Sequence, residues 1–378
     1  MKNFLAFVIL IFISQIVLSQ RIALVRDHGK FGYINEDGTW FIEASYEKAG
    51  NFSNGMAPVF KDGKWGFIDD KNNVVIDYQF DKVKGFESGI AIAAKDKRWF
   101  YIDKSGNEIT SMPASDKVYS FKKGYAFIKR GDDVGIINAK GEVIIEPAYK
   151  KIFPATGGFA KVQKGDLFGL VDKTGKVVIE PIYQDIGKYS KGVLKAKKDG
   201  VVGIIKNEKF IPVEGAIKLW DYSDNEKLTY AQASDKKIGY IDRNGKWVIE
   251  PKFKKARRFH KGLAPAMGSK LWGYIDESGN FKIEEKFKDA EIFSDDGLAP
   301  VKVKKLWGFV NTQGELVIED KYELPGGNPF MFFLFQEKGF KNGIVRVKSK
   351  KGWGYLNTKG ELLNDTWYKN AEDFVEIK

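Results

Sequence analysis

The 378-residue chain contains no cysteine. That excludes disulfides, thiolate metal sites, cysteine nucleophiles and a lipid-modified N-terminal cysteine. Histidine is nearly absent, with only His28 and His260, so a histidine metal centre or a histidine-based catalytic site lacks its parts. No second long apolar run follows the first twenty residues, and no stretch beyond them sustains a 3.6-residue apolar period. A membrane span in the body of the chain and a helical bundle are therefore not expected. Long runs of one charge are missing too, so nothing reads as a charged tail.

The composition that remains is that of a folded protein: 43% hydrophobic, 30% charged and 14% aromatic. Net charge is +12 and the isoelectric point is near 9.3. Lys and Arg are interleaved with Asp and Glu, which reads as a solvated lysine-rich surface and not as a nucleic-acid site. At the N-terminus, Met1-Lys2 precedes an apolar stretch from Phe4 to Leu18, and Val17-Leu18-Ser19 supplies compact residues before Gln20. This layout predicts a signal peptide over residues 1–19 and an exported chain from residue 20. An uncleaved anchor is the alternative.

One pattern recurs along the exported part. Lys64-Trp65-Gly66-Phe67-Ile68-Asp69 returns around Trp272-Gly273, Trp307-Gly308 and Trp353-Gly354, and in weaker form around Gly32, Gly135, Gly169, Gly203 and Gly239. In the third of the ten copies Trp99 is followed by Phe100 where the glycine belongs. The common spacing is 34 residues, which marks a tandem array. Six residues past the central glycine a second glycine recurs, as in Gly38, Gly245 and Gly279, and fourteen past it an aromatic, as in Phe80, Phe253 and Phe287.

Each copy reads as three short strands: an alternating run such as Leu298–Val303, the Trp-Gly segment, and a β-branched run such as Val177–Glu180. Asp-x-x-Gly makes the turn between the last two, and Ile-Glu-Pro is expected to end the third strand, because proline cannot donate to a ladder. The fold class is thus all-β, a tandem array of about ten three-stranded or hairpin units. An open twisted solenoid is favoured, and a closed propeller-like ring is the alternative.

With these residues on the page, W-G-[FY]-[IV]-[DN]-x-x-G followed by [VI]-I-E-P-x-[YF] resembles the WG, or KWG, repeat family of exported bacterial proteins. The resemblance spans roughly residues 22–378 and implies a binding or scaffold role, with no catalytic residue to carry over. The third copy (Phe100), the sixth (Lys206-Asn207-Glu208-Lys209, without a turn glycine) and the split last pair depart most.

Trp65, Trp99, Trp272, Trp307 and Trp353 are read as core, because Val134, Val202 and Ile238 take the same slot and cannot stack on a ligand. Gly66, Gly273, Gly308 and Gly354 belong to the same structural frame. The turn aspartates read as turn formers and not as calcium ligands, since Asn35, Asn138 and Asn311 replace them. Glu146, Glu180, Glu250 and Glu319 read as edge charges. The one insertion, about 323–339, carries Phe330, Phe332, Phe333 and Phe335, which could form a partner-binding patch or a buried cap. The expectation is a non-enzymatic exported protein that binds a protein or an envelope glycan at the cell envelope, with no cofactor or metal. The alternative is a carbohydrate-active enzyme using carboxylates of a divergent unit. The sixth unit is expected to be the weakest link.

Overall fold

A computed structural model describes residues 20–154, 157–325 and 338–377. The segment expected to be a signal peptide and the four insertion phenylalanines lie outside them. The described residues form ten small antiparallel sheets in sequence order, with one short 3-10 turn at Leu363–Asp365 and no α-helix.

The eighth unit shows the plan. Its strands are Lys255–Ala256, Ala264–Met267, Trp272–Ile275 and Phe281–Phe287, paired in that order. The sheet therefore has four strands, not three. The extra strand is two residues long and begins one residue after the third strand of the preceding unit ends at Phe253. Most sheets thus take their first strand from the tail of the repeat before them.

The third strand does not stop at Ile-Glu-Pro. It runs on to the aromatic, as in Val143–Tyr149, Val177–Tyr183 and Trp247–Phe253. The proline is accommodated by a bulge, which the eighth unit forms with Glu285 in the proline position: Trp272 pairs with Phe287 and Tyr274 with Ile283, leaving the extra residues of the third strand opposite Gly273. The same shift recurs in the first, second, fourth, fifth, seventh and ninth units. A bulge needs no ladder donor, so proline is tolerated there, and a bulged edge resists pairing with other chains.

Two units depart. In the third, Arg98–Ile102 pairs with Ala91–Lys95 but gains no third strand, only a bridge from Ile102 to Glu108. In the sixth, Asn207 and Glu208 both have positive φ, 50° and 61°, and form a tight two-residue turn into Lys209–Pro212. A short unbulged hairpin replaces the Asp-x-x-Gly turn.

Seven units pack through buried rings, and Ile136, Leu170 and Ile204 hold the same position in the fourth, fifth and sixth. The aromatic after the central glycine meets the phenylalanine about twenty residues on: Tyr33 with Phe52 at 4.8 Å between centroids, Phe67 with Phe86 at 4.9 Å, and Tyr274 with Phe293 at 4.8 Å. Where that aromatic is tyrosine its hydroxyl donates to a main-chain carbonyl of the next segment, Tyr33 to Gly50 at 2.7 Å and Tyr274 to Glu291 at 2.9 Å. Burial raises the Tyr274 and Tyr240 phenols well above their usual range.

The two ends of the chain meet. Asn370–Ala371 pairs with Arg26 and Val25 of the first strand, Arg21–Asp27, and Val375–Glu376 pairs with Ile22 and Arg21. Asn364 also donates to the Gly38 carbonyl at 3.2 Å.

Candidate functional site

The repeated residues are largely consumed by the frame. A Cβ at Gly273 would stand 2.4 Å from the Ile283 carbonyl oxygen, and at Gly66 2.5 Å from that of Ile76. Gly308 meets Ile318 in the same way, while a Cβ at Gly354 would meet the Leu362 and Trp367 side chains. The bulge of the third strand presses on these glycines, so the slot admits no side chain. Phe100 occupies this slot in the third unit, whose sheet gains no full third strand; the tenth sheet, with Gly354 in the slot, also makes only isolated bridges there.

The Trp slot is core only where a third strand covers it. Trp272 and Trp307 are buried, opposite Phe287 and Tyr322. Trp65 and Trp353 are half-buried opposite Phe80 and Tyr368. Trp99 is 41% exposed, contrary to the core expectation. Its unit offers no aromatic from a third strand to cover it.

The turn carboxylates are also occupied. Asp276 Oδ1 accepts from the main-chain N–H groups of Ser278 and Asn280 at 2.9 and 3.1 Å. The Asn280 bond, with smaller contributions from Ser278 and Lys282, holds this carboxyl below the usual range. Asp69 and Asp172 make the equivalent turns. Glu146, Glu180, Glu250 and Glu319 are exposed on the third strands, one per unit. Among the described residues no group of three His, Asp or Glu is placed to hold a metal, and no helix is long and apolar enough to cross a membrane.

What varies from unit to unit lies just past each two-residue strand. One slot, whose N–H bonds to the neighbouring strand, holds Gly50, Phe153, Gly187, Arg257, Glu291 and Glu372 in different units. Its neighbours form cation–aromatic and ionic chains. The Arg257 guanidinium lies 4.8 Å from the Trp272 ring centroid and pairs with Glu291 at 2.8 Å and Asp289 at 3.1 Å. Glu291 in turn holds Lys338 at 3.0 Å, and Lys338 lies 5.4 Å from the Trp307 ring. Arg346 repeats the motif over Trp353 at 5.0 Å. In the fifth unit Lys161 sits between Phe153 and Phe168 and donates to the Ile186 carbonyl, and burial pushes its ammonium below the usual range.

An open groove of about 370 Å³ lies on this row, lined by Ile238, Lys255, Arg257, Met267, Trp272 and Lys288 among others. A second, smaller cavity of about 80 Å³ touches Pro325 and Lys338, the two flanks of the insertion, together with Arg21 and Phe374 from the chain ends. The sequence pattern missed this row. Its signal was present as charged or aromatic residues changing at a fixed offset where every neighbouring position repeats.

Comparison with known proteins agrees with the frame. The WG containing repeat model matches residues 31–65, 65–99, 99–132, 135–168, 168–201, 238–267, 272–307 and 307–323. No curated protein matches the sequence. Among solved structures, a eukaryotic initiation factor is similar over 94% of this chain and 97% of its own, at 9% identity and a TM-score of 0.52. PorZ, a surface component of the type-IX secretion system of Porphyromonas gingivalis, aligns over 90% of this chain and 57% of its own at 9% identity and a TM-score of 0.24. BamB from Moraxella catarrhalis aligns over 90% and 91% at 12% identity and a TM-score of 0.29. Ten small sheets in sequence order, most of one plan, and one repeat model that matches more than half of the chain identify it as a member of the WG containing repeat family.

Proposed function

We propose that this chain is an exported, non-catalytic binding or scaffold protein whose ten units close into a ring and whose variable row is the recognition surface. The ring reading is supported by the junction between the two chain ends, which is built like an internal one. Ala371 pairs with Val25 as Ala49 pairs with Val59, and Tyr355 meets Phe374 at 4.9 Å as Tyr274 meets Phe293 at 4.8 Å. In an open solenoid the first sheet would lack its two-residue strand. Small-angle scattering of residues 20–378 and of a chain ending at Lys369 tests this. A compact disc that opens on truncation is expected, and an elongated particle unchanged by truncation would favour the solenoid.

A binding role is supported by the variable slot, where mixed charges and rings change from unit to unit on a constant frame. Such variation on a repeated scaffold suits recognition of an extended ligand. The apolar N-terminal stretch supports export, and an envelope glycan or a protein is the ligand class that fits both. The test is a panel of envelope glycans scored at once for saturable binding and for bond cleavage. Binding without products, weakened by Arg257→Ala, is expected. Turnover that disappears on replacing one unit's glutamate would overturn the non-catalytic reading in favour of a carbohydrate-active enzyme.

A further inference from the structure

The strand topology sorts the charges in a way the linear sequence does not display. In each unit the first and second full strands meet in a hairpin turn, and where a third strand forms it ends beside that turn. The Asp-x-x-Gly turns lie at the other end of the sheets. So do the turns such as Ser53–Met56 that precede the first full strand, which are tied from unit to unit: Gly89 donates to Asn54, Gly124 to Ser88 and Gly343 to Asp296, all at 2.7–2.8 Å. Equivalent turns of successive sheets are therefore neighbours, and the hairpin turns align along the opposite face.

That hairpin face is basic on balance, although Asp62, Asp96, Asp132, Asp133, Asp166, Asp199 and Asp235 share its turns. An exposed Lys or Arg stands at every one of its ten turns, in segments such as Lys95-Asp96-Lys97-Arg98, Lys304-Lys305 and Lys350-Lys351. More lysine follows where the third strands end, as in Lys150-Lys151 and Lys254-Lys255. The opposite end mixes signs, with Glu36-Asp37, Asp69-Asp70 and Asp276-Glu277 among its turns. Between the hairpin cations project isolated apolar side chains: Trp99, Leu167, Val201, Ile217 and Leu306, all 37–50% exposed. Leu167 and Val201 come directly after their turns, and Leu306 directly after Lys304-Lys305.

The geometry points to this hairpin face as a docking surface for an anionic lipid bilayer. Charge complementarity selects an anionic partner. Lysine outnumbers arginine at the turns, which suits diffuse attraction to a charged surface better than bidentate reading of a defined group. The separate apolar tips, set among cations, suit shallow entry into a headgroup layer, whereas a hydrated polyanion offers them nothing. The inference goes beyond the binding reading above and does not depend on the variable row.

The test is co-sedimentation of residues 20–378 with vesicles of phosphatidylglycerol and phosphatidylcholine, against vesicles of phosphatidylcholine alone. Binding to the anionic vesicles only, weakened by salt, is expected. Replacing Lys304, Lys305, Lys350 and Lys351 by Gln should lower that affinity on the order of several hundredfold, at about fivefold per lysine. Replacing Lys71, Lys104, Lys140 and Lys173 by Gln removes equal charge from the opposite end and should leave binding within a few-fold. All eight are surface positions, and a melting curve confirms that each variant folds. Equal losses in the two variants, no vesicle binding, or binding to a soluble anionic polysaccharide in its place would overturn the inference.

Discussion

Replacing Gly273 with alanine tests the central steric claim about this fold. The residue does not have positive φ, so alanine suits its backbone, and the objection is space alone. The new Cβ would stand 2.4 Å from the Ile283 carbonyl oxygen and 2.9 Å from both the Glu284 carbonyl carbon and the Phe281 ring. Backbone presses on it from the bulge, so relief requires lifting the third strand off the second. Lifting it exposes Ile283 and Phe287, each 3% exposed in the fold. At about 1.5–3 kcal/mol per side chain, the expected loss is roughly 3–6 kcal/mol. Denaturant unfolding measures the loss, and hydrogen exchange at residues 281–287 locates it. Gly262 is the control: it has φ +77° with nothing within 4 Å of an added Cβ. Gly262→Ala should therefore cost only about 1–2 kcal/mol, the penalty of a left-handed backbone. If Gly273→Ala kept wild-type stability and full protection across 281–287, the account of why these glycines recur would be wrong.

Other outcomes follow from the same geometry. Trp272→Ala should destabilise by about 3–5 kcal/mol and Trp99→Ala by no more than about 0.5 kcal/mol, read from melting curves, since one ring is buried and the other is not. Tyr274→Phe should cost about 1–3 kcal/mol by orphaning the Glu291 carbonyl, measured by denaturant unfolding. Burial raises the Tyr230 phenol to about 12 and holds the Tyr240 and Tyr274 phenols well above their usual range. Above pH 10 the unfolded chain gives up protons that the folded chain keeps. Stability should therefore be intact below pH 10 and fall between pH 10 and 12, and absorbance at alkaline pH should show a tyrosine subset ionising only with unfolding.

The repeat and its central glycine were legible because ten copies in one chain expose a shared period. Other features left weaker traces. The two-residue strands are too short for any alternation to show, so Lys255–Ala256 reads as connection and the sheets read as three-stranded. Pro251 reads as a strand end because its missing donor matters in a ladder, and only the pairing of Ile238 with Phe253 reveals the bulge that tolerates it. Trp99 matches its siblings in sequence, but the strand that would cover it is absent, and Phe100 is the residue that foretold this. The pairing of Asn370–Ala371 with Val25 joins residues more than 340 positions apart, beyond the reach of any local pattern. The lysines look evenly scattered along the chain because each hairpin turn contributes only a few, and it is the stacking of sheets that gathers them on one face.

The single residue between a third strand and the next two-residue strand, as at Lys254, sets sheet and repeat out of phase. A protein spliced so that Asn370–Ala371 precedes Arg21, with new termini opened at the exposed Asp199-Gly200 turn, would preserve every strand pairing described here. Every hairpin turn offers a comparable cut. The strand pairings therefore do not dictate where around the array a chain must be cut.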